Sequence, residues 1–350
     1  MKLQQLHTLY EYKKQLRKQP KLKFLFLELT MRCNEHCRHC GSSCGDVFSD
    51  ELTAEQYFAF LDQVKNDFDT LPMLCVTGGE PLLRKDFFDI VSYASRSGFR
   101  WGMTSNGTLI TAEMAKKLKN TGMSTISVSI DGLEHTHDDF RRSRGGFVRS
   151  VEGIKNLLQQ DFLSVQVTTV VTKKNIRELE ALFELMCDLD VHSWRVINIE
   201  PIGRALTLDG YTLDNDDYRH LFDFIRRKRQ LGYPVTYGCQ HFLGTEYERE
   251  VRDWYFLCNA GVYTASIMAN GDIGACLDIE RRPETIQGNI LKDRFSDVWH
   301  HQFSFYRTPL SDKNEKCANC SSCDFCEGGS YHSWDYDNDQ PLVCFRDVLF

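Results

Sequence analysis

The chain has 350 residues, 42% of them hydrophobic and 26% charged, ordinary globular proportions with length for one large domain and a smaller one. A formal net charge of -7 argues against a nucleic-acid binder, which would carry a basic field. With no run near the roughly 18 apolar residues of a membrane span, and no apolar core in the N-terminal "MKLQQLHTLYEYKK", the protein is expected to be cytoplasmic, without membrane or nucleic-acid partners.

Residues 1–21 read as a basic helical extension. Lys13, Lys14, Arg17, Lys18, Lys21 and Lys23 form a basic patch at its end, expected as a solvated helix face or, more sharply, as a docking surface. Over 22–235 strand-like and helix-like runs alternate six times. The strands are "LKFLFLEL", "MLCVTGG", "RWGMTSNG", "TISVSIDG", "LSVQVTTVVT" and "WRVINIEP". Amphipathic stretches separate them, among them "TAEQYFAFLDQVKN", opened by a Thr53/Gln56 capping box; "DNDDYRHLFDFIRRKRQLG" follows the sixth strand. A repeated βα unit argues for an α/β fold of parallel strands with right-handed crossovers. Eight such units close a barrel, whereas six leave it partial, with the strand C-termini as the active face. Beyond 235 the alternation stops and cysteine, glycine and aromatics rise, so 236–350 is expected to be a small, metal-stapled domain.

The polar and glycine residues fall at the strand ends: Cys33 after the first, Gly78-Gly79-Glu80 after the second, Asn106-Gly107 after the third, Asp131-Gly132 after the fourth. In a reducing compartment, clusters among 14 cysteines more often hold metal than form disulfides. Cys33, Cys37 and Cys40 stand as C-x3-C-x2-C in "ELTMRCNEHCRHCGSSCG". Thiolates hold iron–sulfur clusters, and a cubane needs a ligand for each of its four irons, so three close cysteines leave one iron open to a small chelator. His36 and His39 keep a zinc loop as the alternative, although structural zinc usually takes paired C-x2-C or C/H sets. Cys44 and Cys75 read as a loop thiol and a core thiol.

The three-cysteine motif after a first strand, with "GGEP" after the second, resembles the radical S-adenosylmethionine superfamily. Residues 22–235 would then form that superfamily's partial (β/α)6 TIM-type barrel. The resemblance implies that Cys33, Cys37 and Cys40 bind a 4Fe–4S cluster whose open iron is chelated by the amino and carboxylate groups of S-adenosylmethionine. It implies that Gly78, Gly79 and Glu80 meet the methionine amino group, and that Ser129 and Asp131 in "SVSIDG" meet the ribose. Arg141 in "HDDFR" would pair with the methionine carboxylate, with Arg142 and Arg144 as competitors. Asn106 would reach the cofactor or shape its own turn.

In the tail, Cys258-x12-Gly271-x4-Cys276 precedes Cys317-x2-Cys320-x5-Cys326 and Cys344. This resembles the seven-cysteine SPASM domain, which carries two auxiliary 4Fe–4S clusters and accompanies enzymes that mostly act on peptides and proteins. The resemblance implies a distal cluster on Cys317, Cys320, Cys326 and Cys344, and a proximal one that includes Cys258 and Cys276. Where that pattern needs another cysteine this chain has Ser330, so Cys239 is expected as a proximal ligand, with Cys323 either a fourth ligand or a bystander. A zinc ribbon or a ferredoxin-like carrier is the plainer reading of the tail.

The resemblance further implies reductive cleavage of S-adenosylmethionine to a 5′-deoxyadenosyl radical, with a flavodoxin- or ferredoxin-type reductant, hydrogen abstraction from the substrate, and auxiliary clusters taking the surplus electron. Asp278, two residues after Cys276, and Glu200, at the end of the sixth strand, are the candidate proton acceptors. The leading expectation is a maturase that forms a thioether or carbon–carbon crosslink in a ribosomally made peptide. Formylglycine formation in a sulfatase and tailoring of a haem- or quinone-type cofactor are the alternatives. A non-catalytic iron–sulfur carrier leaves the pairing of "GGEP" with three cysteines unexplained. Little chain precedes the first strand, so a separate leader-binding protein, or the basic helix itself, is expected to present the peptide.

Overall fold

The computed structural model describes residues 3–45, 50–238 and 241–350. Helix α1 (Leu3–Lys18) leads into strand β1 (Phe24–Glu28), and β1 opens a run of βα units: α2 (Ala54–Asp67), β2 (Met73–Thr77), α3 (Phe87–Arg96), β3 (Trp101–Ser105), α4 (Ala112–Asn120) and β4 (Met123–Ser129). Two helices, α5 (Glu134–Arg141) and α6 (Gly146–Leu158), precede β5 (Ser164–Val171). Then come α7 (Leu179–Leu189), β6 (Ser193–Asn198), α8 (Asn215–Gln230) and a seventh strand, β7 (Val235–Tyr237), with α9 (Gly244–Val251) behind it.

Local chemistry accounts for the helix starts. Thr53 accepts from the Gln56 amide while the Gln56 side chain takes the Thr53 N–H, so the expected capping box is formed. Asp214 and Asp217 do the same for α8, whose last turn carries Arg227, Lys228 and Arg229 where the helix dipole favours cations. Between sheet and helices the core is continuous: Leu25, Leu27, Leu74, Val76, Trp101, Val128, Val167, Trp194 and Val196 are all buried, each aliphatic worth about 1.5–3 kcal/mol against exposure.

Neighbouring strands from β1 to β7 are parallel. The sheet does not end at β1. β8 (Thr264–Ile267) pairs parallel to β1, and β9 (Asp272–Gly274) and β10 (Gly288–Asn289) follow antiparallel. The order is β10-β9-β8-β1-β2-β3-β4-β5-β6-β7, a partial barrel with its edges at β10 and β7. The tail is thus grafted onto the barrel's open edge. Glu28, wholly buried, fixes the graft by accepting from Ala269 N at 3.1 Å and pairing with Arg281. Beyond α10 (Phe295–His301) the tail is short turns and small helices around cysteines, with one short antiparallel pairing of Trp334–Asp335 and Gln340–Pro341. Among the described residues no helix is long and apolar enough to cross a membrane.

Candidate active site

The chain leaves β1 and crosses the strand ends as the cysteine loop, guided by the β2 end. Gly79 N donates to Thr30 O and Glu80 N to Arg32 O, both at 2.8 Å, so the strand pairing continues into the loop. This closeness explains the glycines. A Cβ on Gly78 would stand 2.2 Å from Thr30 O, and one on Gly79 would stand 2.2 Å from Arg32 O. Gly78 also has φ +145, which L side chains avoid. The Glu80 carboxylate is wholly buried and turned toward the end of β3, accepting from Ser105 Oγ at 3.0 Å, Asn106 N at 2.9 Å and Leu82 N at 3.3 Å. Burial pushes its pKa up to about 7 against those hydrogen bonds. Asn106 carries the connection onward: its Nδ2 donates to Asn34 Oδ1 at 2.8 Å, between Cys33 and Cys37.

A second clamp comes from β4 and α5. Asp131, wholly buried after β4, accepts from Val170 N at 2.8 Å and from Arg141 Nε at 2.8 Å. Arg141 Nη1 donates to Glu35 Oε2 at 2.9 Å, inside the cysteine loop. Arg141 therefore bridges two buried carboxylates, while its sequence competitors Arg142 and Arg144 are exposed. Burial alone would raise the Asp131 carboxyl, but the Arg141 charge and the nearby His39 and His137 hold it below the ordinary carboxylate range. Ser129 is half-buried at the end of β4, in register with Thr168 of β5. Three buried polar atoms around this clamp have no hydrogen-bond partner: Glu35 Oε1, His39 Nδ1 and His137 Nε2. Such atoms are costly when left unpaired, so the pocket fits a polar ligand that supplies partners.

His137 allows a check by pH. Its Nδ1 accepts from Asp131 N at 3.1 Å, and burial, aided by the Arg141 charge, pushes its pKa down to about 4. The unfolded chain binds the proton first, so stability is expected to fall as pH drops from about 6.5 toward 4. Denaturation of His137→Gln across that range is expected to show a shallower acid slope than the parent, by up to about one proton.

A third clamp was not anticipated. Arg204, just past β6, donates from Nε to Cys37 O at 2.7 Å, from Nη1 to Cys44 O at 2.7 Å and from N to Cys40 O at 3.1 Å. A Cβ on neighbouring Gly203 would stand 2.4 Å from Cys40 O. The signal was present in "EPIGRA", a glycine and an arginine directly after a strand end. Together Asn106, Arg141 and Arg204 hold the backbone and side chains around Cys33, Cys37 and Cys40 from three strand ends.

The two candidate proton acceptors lie in different settings. Asp278 is exposed, with Oδ1 at 3.9 Å from the point a Cβ would occupy on Gly41, so it faces the cysteine loop. Glu200 is buried at the end of β6, accepting from Asn198 Nδ2 and Ser333 Oγ at 2.8 Å each and pairing with His241. Burial would raise its pKa; His241, His332 and Ser333 outweigh that and keep it below its usual value. Its hydrogen bonds tie the β6 end to the tail.

In the tail Cys317, Cys320, Cys326 and Cys344 line one cavity of about 280 Å³, together with Cys323 and His241. Four thiolates suffice for a cubane, so the cavity fits the group with one cysteine to spare. Cys323 thus lies with the distal set, apart from Cys258 and Cys276. Those two share Tyr306 and Tyr336 as neighbours, and buried Ser330 lies 3.4 Å from His332 Nε2. Cys239 lies outside the described residues. Among the described residues no three His, Cys, Asp or Glu side chains close on a single-ion site.

Fold and site together define an enzyme with a barrel-borne three-cysteine cluster loop and a second, cysteine-walled cavity in its tail. Residues 27–186 match the radical SAM superfamily model, and residues 258–324 match the SPASM model, an iron–sulfur cluster-binding domain. The AdoMet-dependent heme synthase of Methanosarcina barkeri (strain Fusaro / DSM 804) is 30% identical over 341 residues, covering 91% of this chain and 95% of that one. The mycofactocin maturase MftC of Mycolicibacterium smegmatis is 30% identical over 308 residues, covering 86% and 76%. Native anSMEcpe with bound AdoMet and the Cp18Cys peptide superposes with a TM-score of 0.71 at 20% identity, covering 92% of each chain. The chain belongs to the radical S-adenosylmethionine superfamily and carries its SPASM domain. The barrel domain of this family binds a 4Fe–4S cluster and S-adenosylmethionine, and SPASM binds auxiliary clusters. When bound, that pair supplies reductive cleavage of the sulfonium and a carbon-centred oxidant. With that pair bound, the chain's own part would be to hold the thiolates of Cys33, Cys37 and Cys40 in place, to offer polar partners beside Arg141 and to orient the target atom.

Proposed function

We propose that the enzyme oxidatively modifies a ribosomally made peptide, joining two of its side chains by a thioether or carbon–carbon bond. Cys33, Cys37 and Cys40 hold the cleaving cluster. Ser129, Asp131 and Arg141, with the backbone of Gly78, Gly79, Glu80 and Asn106, shape the S-adenosylmethionine pocket. Exposed Asp278, facing the cysteine loop, takes the proton released as the new bond forms, and the distal cavity takes the electron. One observation carries the peptide reading: the guanidinium groups that reach the cysteine loop from the other strand ends, those of Arg141 and Arg204, are committed to Asp131 and Glu35 and to backbone carbonyls, while Arg32 beside Cys33 is exposed. A polyanionic small molecule would want such guanidinium groups uncommitted. The maturase relative and the peptide-bound fold neighbour support the same reading.

A second reading is tailoring of a haem-type tetrapyrrole, favoured by the match to 95% of the length of a heme synthase. The two separate in one assay. Anaerobically reconstituted enzyme with dithionite and S-adenosylmethionine is expected to form 5′-deoxyadenosine. A short peptide encoded beside its gene is expected to lose two hydrogens when co-expressed. An unchanged peptide together with a converted iron coproporphyrin would transfer the assignment to the tetrapyrrole.

A further inference from the structure

The basic patch before the first strand is divided by the fold. Lys14, Lys18, Lys21 and Lys23 are exposed, whereas Lys13 is only 1% exposed. Its ammonium reaches into the tail, donates to Phe325 O and stands 3.6 Å from Glu327 Oε2. Arg17, one turn on, pairs with the same carboxylate at 2.8 Å. Both partners flank Cys326, which lines the distal cavity and lies within electrostatic reach of Lys13. The other charged groups at this point are Glu248 and its partner Arg252, 3.6 Å apart. Three cations face two carboxylates, so one positive charge is in excess.

We propose that Lys13 is a tuning residue for the distal auxiliary cluster: its buried charge raises the cluster's reduction potential and so favours it as the electron acceptor of the reaction. A cluster on four thiolates is anionic and gains further negative charge on reduction, so a fixed neighbouring cation stabilises the reduced form more than the oxidised one. Burial keeps salt from screening the effect, and Lys13 is positioned for it by Phe325 O and the Phe256 ring 5.5 Å away. Burial lowers the lysine's pKa, while the Glu327 charge works the other way and favours the ammonium. The extension that reads from sequence as a solvated face is thereby part of the redox apparatus. The proposal rests on the distal cavity holding a cluster.

The test uses the full chain with Cys33, Cys37 and Cys40 changed to alanine, reconstituted anaerobically and titrated under electron paramagnetic resonance. The signal lost or altered on adding Cys317→Ala with Cys323→Ala, so that the spare thiol cannot stand in, belongs to the distal cluster. Lys13→Met is expected to keep its iron yet show roughly a tenfold lower ratio of reduced to oxidised cluster at fixed potential, about 59 mV for one electron. Glu327→Gln is expected to shift the ratio upward, and Lys14→Met to leave it unmoved. An unmoved ratio in iron-replete Lys13→Met overturns the proposal. Should Lys13→Met fail to fold, an unmoved ratio in Glu327→Gln overturns it equally. If no signal depends on Cys317 and Cys323 together, the cavity reading itself fails and the proposal falls with it.

Discussion

Arg141→Leu is expected to destabilise the protein by about 3–5 kcal/mol and to abolish S-adenosylmethionine binding. The guanidinium sits between Asp131 and Glu35, and both carboxylates have wholly buried side chains. Leucine removes the cation but leaves the two acids in place, at Coulombic odds and out of water. The Asp131 carboxyl, which the Arg141 charge holds down against burial, is then expected to rise above its unfolded value, so part of the variant's lost stability is expected to return as pH falls through the carboxylate range. Adding Asp131→Asn and Glu35→Gln to Arg141→Leu is expected to recover much of the loss at neutral pH, because no buried charge then lacks a partner. Denaturation of the single and combined variants forms a cycle that isolates this coupling. A loss below about 1 kcal/mol in Arg141→Leu would mean that water reaches the clamp. Binding is the independent readout: the combined variant regains stability without regaining the cofactor, since the bridge that holds the β4 end against the cysteine loop is gone.

How far the sequence reaches depends on whether a signal is local. The cysteine loop and "GGEP" were legible because spacing along the chain is what the chemistry requires. The six parallel strands and the Thr53/Gln56 box were legible because periodicity and capping involve neighbours only. The Arg141 clamp was readable as a residue but not as a geometry. Its partner Glu35 lies 106 residues away in the chain, and nothing in the alternation of strands predicts that contact. Arg204 was missed, and Lys13 was readable only as one member of a basic patch, for the same reason, since each serves a loop from another part of the chain. The β8 pairing with β1 joins segments 240 residues apart, as Phe24 and Thr264. Only its hairpin had a local mark, the Asn270-Gly271 pair at the turn into β9, where Gly271 has φ +90. Exposure of a lysine-rich helix was the default expectation, and tertiary packing overrode it at one residue in particular, Lys13.

Gly79→Ala is expected to cost S-adenosylmethionine cleavage about a hundredfold while leaving the tail cavity intact. A methyl there would meet Arg32 O at 2.2 Å, Arg32 C at 2.6 Å and Cys33 Cβ at 3.0 Å, all of them on the cysteine loop. Backbone cannot swing aside as a flexible side chain would. Relief requires the loop to lift from β2, breaking the donations of Gly79 N and Glu80 N and carrying Cys33 with it. Overpacking of this kind costs about 1–3 kcal/mol, so the fold survives and the defect is local. Iron and sulfide analysis should therefore show loss at the barrel site with the Cys317-dependent signal preserved. Gly45→Ala is the matched control in the same loop, because among the described residues its methyl would find only the His36 ring at 3.7 Å, an ordinary contact. If Gly45→Ala and Gly79→Ala lost activity alike, the loop would be intolerant of any added bulk, and the strand-end contact would not be what places Cys33. The two variants are expected to differ, since only one of the two methyl groups would stand where the β2 end holds the loop in register.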